Sequence, residues 1–214
     1  MCGRYQRRSD KQRIAEMFQV SVGLEELYLA PEDDIAPGSV QPVVMINRDG
    51  ERQLEMMRWG FKLPDRLLFN ARSEGIAAAK FWRERFTTGR CIVPADSFFE
   101  WNKTARGPKP KYEFAVPGRE PFAMAGLWSP WKNPKTDAWE DTFAILTGDA
   151  NSVMQPIHNR QPIILEPREY AEYLAPAERP PIHLLRALPN EELTSQLVSQ
   201  DNISQQQASL FDSH

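Results

Sequence analysis

Apolar residues recur at helical intervals in four parts of the chain. Ile14, Met17 and Phe18 follow this spacing and predict a short helix over residues 10–19, with Ser9 opening a capping box. The same spacing, together with helix-ending residues, predicts three more helices, over 74–88, 167–174 and 190–198.

Short runs of β-branched and aromatic residues, separated by turn residues, predict strands between these helices. The pairs Asp49-Gly50 and Pro117-Gly118 each stand between two such runs and predict two hairpins. The predicted strands are 42–47, 53–59, 91–93, 98–101, 112–116, 121–128, 142–147 and 163–165. Residues 20–41 and 60–70 fit neither pattern and are predicted to be irregular, whereas 149–156 suit a single helical turn.

Strands outnumber helices, and the two do not alternate as a doubly wound sheet requires. We therefore predict an α+β fold in which mixed and antiparallel, barrel-like sheets are flanked by short helices. Residues 1–198 are expected to form one compact domain. Residues 199–214 are rich in Gln and Ser and are expected to be a disordered tail.

Composition narrows the functional classes. Hydrophobic residues make up 41% of the 214 residues, which is enough for a buried core, yet no apolar run reaches the ~20 residues of a membrane span. A cytoplasmic location is expected, and an association with the nucleoid if the source is bacterial. Two cysteines form no disulfide framework, and three histidines lack metal-site spacing, so neither a metal nor a cofactor is expected. Basic residues are in excess over residues 1–111 and acidic residues over 112–214, an asymmetry suited to a polyanionic partner.

Cys2 is the residue with the most distinctive chemistry. Removal of Met1, which precedes a small residue, leaves an N-terminal cysteine whose amine (pKa ~8) and thiol (pKa ~8.5) sit on adjacent carbons. The amine can condense with an aldehyde, and the thiol can then close a five-membered thiazolidine ring. The plain alternative is an ordinary cysteine at a frayed terminus.

Three further polar residues occupy positions suited to catalysis. Asn70 lies between Phe69 and Ala71 just before a predicted helix, and Glu100 stands inside an aromatic strand, where burial favours proton transfer. His158 lies in an irregular run of the kind that often carries catalytic side chains. Each also suits a purely structural role.

Six segments, in this order along residues 2–165, resemble the SRAP family, whose name stands for SOS-response-associated peptidase and whose members are also called abasic site processing proteins. The segments are Met1–Tyr5, Ile35–Gly38, Arg58–Gly60, Phe69–Glu74, Phe98–Trp101 and Ile145–Pro162.

The resemblance implies that Cys2 crosslinks to the aldehyde of an abasic site in single-stranded DNA. It further implies that Asn70 hydrogen-bonds the thiazolidine or the sugar, that Glu100 moves protons at the Schiff base, and that His158 assists ring opening. A weak lyase activity follows if the Schiff base instead loses its C2′ proton. The residues implied to contact DNA are Arg4, Pro37, Gly38, Trp59, Arg72, Lys80 and Trp101, with Trp59 stacking beside the bases.

Two other functional classes stay open. Cys2, His158 and Asn70 also suit the nucleophile, base and orienting residue of a thiol peptidase, an activity that includes removal of Met1. A non-catalytic module that binds single-stranded DNA would need only the basic half of the chain. In either case a monomer is expected.

The tail carries a short motif of its own. Residues 207–211 resemble the pentapeptide with which bacterial proteins dock on the replicative sliding clamp. In such a complex Leu210 and Phe211 fill an apolar pocket while Gln207 hydrogen-bonds at its rim, so the sliding clamp is a predicted partner.

Overall fold

Strands dominate the computed structural model, which describes residues 2–25, 27–102 and 108–198. In chain order the strands are β1 Tyr5–Arg7, β2 Glu32–Ile35, β3 Val40–Ile46, β4 Arg52–Trp59, β5 Phe61–Lys62, β6 Leu67–Leu68, β7 Asn70–Arg72, β8 Arg90–Ala95, β9 Ser97–Trp101, β10 Lys111–Ala115, β11 Phe122–Lys132, β12 Trp139–Asp149, β13 Arg160–Pro162, β14 Ile164–Leu165 and β15 Thr194–Val198. The helices are α1 Lys11–Phe18, α2 Lys80–Thr88 and α3 Tyr170–Leu174, with 3-10 turns at Ser73–Gly75, Pro167–Glu169, Ile182–Leu184 and Asn190–Glu192. The predicted α+β class is confirmed.

Five strands close into a barrel in the order β12, β4, β3, β8 and β11, with β11 pairing back onto β12. All neighbours are antiparallel except β12 and β4. Farther along β12, β7 takes over from β4 on one edge and β13 takes over from β11 on the other. The predicted barrel-like sheet is therefore confirmed.

Side-chain alternation gives the barrel strands two apolar faces. One face of each strand packs beneath α1, α2 and α3, where Phe18, Phe86 and Tyr173 are buried. Because a five-stranded barrel has no room for helices inside, this is the outer face. The inner face carries Trp59 and Phe143, whose rings stack with centroids 6.3 Å apart.

A second sheet, in the order β15-β10-β9-β1-β2, packs against the inner cluster of the barrel. Tyr5 of β1, Phe98 of β9 and Phe114 of β10 are fully buried there. Because β1 lies between β9 and β2, the residues that precede it are held where the sheet meets the barrel. Cys2 is thereby placed in the interior of the molecule.

The structure contradicts the predicted hairpin and parts of the two segments predicted to be irregular. Residues 60–70 contain the short strands β5 and β6, which pair with each other. β10 and β11 do not form a hairpin across Pro117-Gly118, because β10 pairs with β9 and β15 in one sheet and β11 pairs with β8, β12 and β14 in the other. Residues 20–41 are not wholly irregular, since β2 forms there as the edge partner of β1. The separation of β10 from β11 and the formation of β2 depend on partners distant in sequence.

The predicted helix over 190–198 is also wrong. Asn190–Glu192 form a single 3-10 turn, and β15 then pairs with β10 along its whole length. Covering the edge of β10 satisfies a row of backbone groups that a helix would have left open. Helix α1 matches its prediction, although Asp10 rather than Ser9 caps it by accepting a 2.8 Å hydrogen bond from the Arg13 N–H. Within the described ranges no helix is long and apolar enough to cross a membrane.

Candidate active site at the N-terminal cysteine

Cys2 is fully buried in the inner cluster, between the barrel and the second sheet. The segment before β1 runs alongside β9, because the Phe99 N–H donates a 2.9 Å hydrogen bond to the Arg4 carbonyl. The Cys2 thiol lies 3.9 Å from that same carbonyl oxygen. While Met1 is attached, the nitrogen of Cys2 is an amide, so the residue has only its thiol as a reactive group.

Asn70 contacts Cys2 directly. Its Nδ2 donates a 2.9 Å hydrogen bond to the Cys2 carbonyl, across 68 positions of sequence. The parallel pairing of β7 with β12 sets this position, since Asn70 stands opposite Ile145 and the Ile145 N–H donates to the Phe69 carbonyl at 3.0 Å. A strand of the barrel wall thus places a side-chain amide against the backbone of Cys2.

Glu100 brings a buried carboxyl group to the same place. Its side chain is 3% exposed on β9, opposite Tyr112 of β10. Burial raises the pKa of the Cys2 thiol, and the negative charge of Glu100 raises that pKa further. The thiol is therefore protonated at neutral pH and lies within the electrostatic reach of this carboxyl group.

His158 lies in the loop between β12 and β13 and is 6% exposed. Its Nδ1 lies 2.9 Å from the Arg160 backbone nitrogen and 3.1 Å from the Arg160 carbonyl oxygen, so the ring is anchored to the backbone at the start of β13. Met154 and Ile157, from the same loop, belong to the buried cluster that contains Cys2. The loop that carries His158 is thus packed against the surroundings of the cysteine.

Arg160 joins this loop to the segment that follows Asn70. Its guanidinium forms a fork with the Glu74 carboxylate, contacts Asp149 Oδ1 at 3.0 Å and donates to the Thr147 carbonyl at 2.6 Å. The hydrogen bond from Arg160 holds the pKa of Glu74 below its ordinary value. Sequence reasoning missed this pairing, although Arg160 and Glu74 stand in two of the motif segments. The only signal in the sequence is a charged residue two positions after His158.

The residues predicted to contact DNA differ in their exposure and in their partners. Arg4 is half-exposed and forms an ion pair with Asp34 of β2. Arg72 and Lys80 are exposed at the end of β7 and the start of α2. Trp101 is partly exposed at the end of β9, and the Lys111 ammonium lies 5.5 Å from its ring centroid.

The prediction that Trp59 stacks beside DNA bases is wrong. Its indole is fully buried, donates a 2.9 Å hydrogen bond to the Phe69 carbonyl and stacks on Phe143, so neither ring face is open. Trp59 instead supports the backbone that positions Asn70. The neighbouring turn does reach the surface, since Pro37 and Gly38 are partly exposed and Gly38 adopts φ +95°.

The predicted clamp-binding residues Gln207, Leu210 and Phe211 lie outside the described residues. That prediction stays a prediction.

Comparison with known proteins places the chain in a family. The family model described as SOS response associated peptidase (SRAP) matches residues 1–204. The abasic site processing protein YoqW of Bacillus subtilis is 31% identical over 191 residues, 86% of this chain and 84% of that protein. The abasic site processing protein YedK of Escherichia coli is 27% identical over 184 residues, 81% of this chain and 79% of that protein.

Solved structures share the fold. A protein from Bacteroides thetaiotaomicron has a TM-score of 0.83 at 22% identity, covering 95% of this chain and 94% of that one. A phage-related protein from Bordetella bronchiseptica has a TM-score of 0.74 at 27% identity, covering 93% of this chain and 95% of that one. With a family match over nearly its whole length, the chain belongs to the SRAP family.

Proposed function

We propose that this protein recognises abasic sites in single-stranded DNA and traps them as a covalent adduct of Cys2. The observation that carries the proposal is the position of Cys2, hydrogen-bonded by Asn70 and within the electrostatic reach of Glu100. Support also comes from relatives named abasic site processing proteins. The adduct would shield the site from strand cleavage and from error-prone copying.

The reaction begins when loss of Met1, by an aminopeptidase or by the protein itself, converts the Cys2 amide into an α-amine. This amine attacks the aldehyde carbon of the open sugar, and the resulting carbinolamine loses water to give an imine. The thiol then adds to the imine carbon, its sulfur forming the C–S bond and its proton ending on the nitrogen. The product is a thiazolidine, and the net loss is one water.

The surroundings of Cys2 support a reaction in which the amine acts before the thiol. A buried thiol beside a carboxylate is protonated, so the amine is the first nucleophile and the thiol follows only when its proton is taken. Glu100 would accept that proton and return it to the nitrogen. If the imine instead loses a C2′ proton, the strand breaks by β-elimination, which gives the protein a weak lyase activity.

Asn70 and His158 would act on either side of the sugar. Asn70 holds the Cys2 backbone, so that the amine and the thiol meet the same carbon. His158 would donate a proton to the ring oxygen during opening or to the departing hydroxyl. Replacing His158 with Ala should chiefly slow release of the adduct. Equal release rates in the variant and the wild type would remove this role.

Arg4, Arg72, Lys80 and Trp101 would hold the strand through its phosphates and one base. Binding to DNA should therefore weaken steeply with salt. A duplex preference, or an affinity independent of salt, would contradict a groove for single strands.

A thiol peptidase is less well supported. Cysteine proteases need a thiolate, which neighbouring positive charge produces by lowering the thiol pKa. Here burial and Glu100 raise the pKa of Cys2. Removal of Met1 is the one peptide cleavage that the thiazolidine chemistry requires.

Intact mass spectrometry tests the proposal directly. The mature protein should lack Met1 and, after incubation with single-stranded DNA that carries one abasic site, should gain the DNA mass less one water. Cys2→Ala should give no stable adduct, whereas Cys2→Ser keeps the amine and should give only a reversible imine or a cleaved strand. A stable adduct undiminished in Cys2→Ala would point to a different nucleophile and overturn the proposal. If Cys2→Ala changes neither DNA binding nor any DNA product, the protein is a non-catalytic binding module.

A further inference from the structure

A basic groove opens beside the Pro37-Gly38 turn, outside the site around Cys2. It has a volume of about 510 Å³, within the range of small-molecule sites. We call it the flank groove, and its lining comes from the Pro37-Gly38 turn, from strands β4 and β5, and from the hairpin formed by β11 and β12. The residues that define it are Pro37, Gly38, Arg58, Lys62, Lys135 and Glu140.

The charge of the groove is positive. Among the described residues that line it, Glu140 is the one acid, and Arg58 neutralises it through an ion pair while also donating a 2.6 Å hydrogen bond to the Gly38 carbonyl. Within the described ranges Lys62 and Lys135 form no ion pair, so two positive charges remain. Two lysines facing one groove favour an anionic occupant.

The backbone at the two lysines is held by contacts with the hairpin formed by β11 and β12. The Trp131 indole N–H of β11 donates a 2.8 Å hydrogen bond to the Lys62 carbonyl, and its ring packs edge-on against Phe61, with centroids 5.7 Å apart. At the tip, Asn133 Oδ1 accepts the Lys135 N–H at 3.0 Å. Little conformational freedom of the hairpin backbone would therefore be lost when a ligand binds.

Hydrogen bonds through Trp59 connect the turn that borders the groove to the segment that carries Asn70. The Gly38 N–H donates a 2.7 Å hydrogen bond to the Trp59 carbonyl, and Trp59 in turn bonds the residue before Asn70. A Cβ added at Gly38 would meet no atom within 4 Å, so the backbone of this turn is open to a close approach. Trp131 also packs on Phe81 of α2, next to Lys80.

We infer that the flank groove binds the sugar-phosphate backbone of the DNA strand on one side of the abasic site. Lys62 and Lys135 would neutralise phosphates, and the amide of Asn133 and the hydroxyl of Thr136, which also line the groove, would meet the sugar. This inference rests on the proposed function for its ligand, and it assigns DNA contacts to Lys62, Asn133, Lys135 and Thr136, which lie outside the motif segments.

The test is non-covalent binding, followed by fluorescence anisotropy, to a single strand carrying a tetrahydrofuran abasic analogue. This analogue has no aldehyde and cannot crosslink, so the measurement is independent of Cys2. The variant is Lys62→Ala/Lys135→Ala. The control, Lys132→Ala/Arg48→Ala, removes equal charge from the Asp137-paired lysine on the hairpin and from the β3–β4 turn.

The logarithm of the association constant falls linearly with the logarithm of the salt concentration. Loss of two phosphate contacts should make this slope less steep by about 1.4, since each contact on a single strand contributes about 0.7. Oligonucleotides lengthened on only one side of the analogue should bind the wild type and the control more tightly. The groove variant should lose that gain for the one side that reaches the groove. Equal salt slopes and equal length dependence in the groove variant and the control would overturn the inference.

Two further measurements separate the alternatives. If a deoxynucleoside monophosphate displaces the strand from the wild type as effectively as an oligonucleotide of equal nucleotide concentration, the groove is a mononucleotide site and the inference is wrong. Crosslinking of the wild type to aldehyde-bearing DNA is measured separately. Absence of a crosslink in the wild type would refute the proposed function, while the anisotropy result would still decide the groove.

Discussion

Replacing Arg160 with Ala should destabilise the fold and disturb the site together. The Arg160 side chain is 11% exposed and joins the segment after Asn70 to the loop of His158 through Glu74, Asp149 and the Thr147 carbonyl. Alanine removes all of these bonds, whereas it keeps the backbone N–H that His158 accepts. The variant therefore tests the side-chain bridge alone.

The magnitude follows from the exposure of each partner. The Glu74 side chain is 48% exposed, so water replaces much of this ion pair and its loss costs about 1 kcal/mol. Asp149, at 87% exposed, adds nothing measurable. The Thr147 carbonyl is buried, and leaving it without its donor costs about 1–3 kcal/mol. The expected loss is thus about 2–4 kcal/mol, or roughly 5–15 °C in Tm for a chain of this length.

Thermal unfolding followed by circular dichroism measures this loss, and Asp149→Asn is the matched control. It removes the exposed member of the same bridge and should leave Tm within about 1 °C, because exposed pairs contribute little. The crosslinking rate of Arg160→Ala should also fall, with partial recovery in Arg160→Lys. A Tm within about 2 °C of the wild type would refute the reasoning that the bridge holds the two segments.

The same bridge gives a pH dependence. Arg160 lowers the pKa of Glu74 in the folded protein relative to its ordinary value of 4.5, so the bond stabilises the fold above that value. This stabilisation is lost as the pH falls through the lowered pKa. The difference in Tm between the wild type and Arg160→Ala should therefore be largest near neutral pH and narrow below about pH 4. A difference that widens in acid would contradict the assignment.

Other residues give three further predictions. Glu100→Gln should slow adduct formation by about 10²–10⁴-fold in a gel-based time course, since general acid–base groups contribute that much, and a wild-type rate would exclude its role. Asp34→Asn should tighten DNA binding and steepen its salt dependence, because Arg4 is released from its ion pair; unchanged affinity would show that Arg4 does not contact phosphate. A peptide of residues 199–214 should bind a bacterial sliding clamp, and alanine at both positions of its Leu-Phe pair should abolish the signal in calorimetry; equal signals would reject the motif.

Local sequence was sufficient where the signal lies within a few neighbouring residues. The 3.6-residue spacing of Ile14 and Phe18 placed α1, and Asp49-Gly50 placed the turn between β3 and β4. The chemistry proposed for Cys2 also follows from the sequence, because it depends only on this residue becoming N-terminal once Met1 is removed. The order of the motif segments then indicated the SRAP family, which the comparisons confirm.

Pairing between distant residues decided the rest. Alternation predicts that 112–116 and 121–128 are strands, but it carries no information on their partners, and the tertiary structure assigns them to different sheets. The pattern of residues 190–198 suits a helix in isolation; the open edge of β10 makes part of it a strand. Trp59 has the same sequence neighbours whether it stacks on DNA or lies in the core, and only closure of the barrel buries it.

The site itself shows the same division. Sequence reasoning named Cys2, Asn70 and Glu100 one at a time, as residue types suited to nucleophile, orienting and proton-transfer roles. Their proximity depends on two strand pairings, β7 with β12 and β1 with β9. Both pairings join segments more than 60 residues apart. Burial between these sheets then raises the pKa of the Cys2 thiol. The chemistry of each residue is local, but the electrostatic surroundings and the hydrogen bonds that direct it arise from contacts between segments that are distant in sequence.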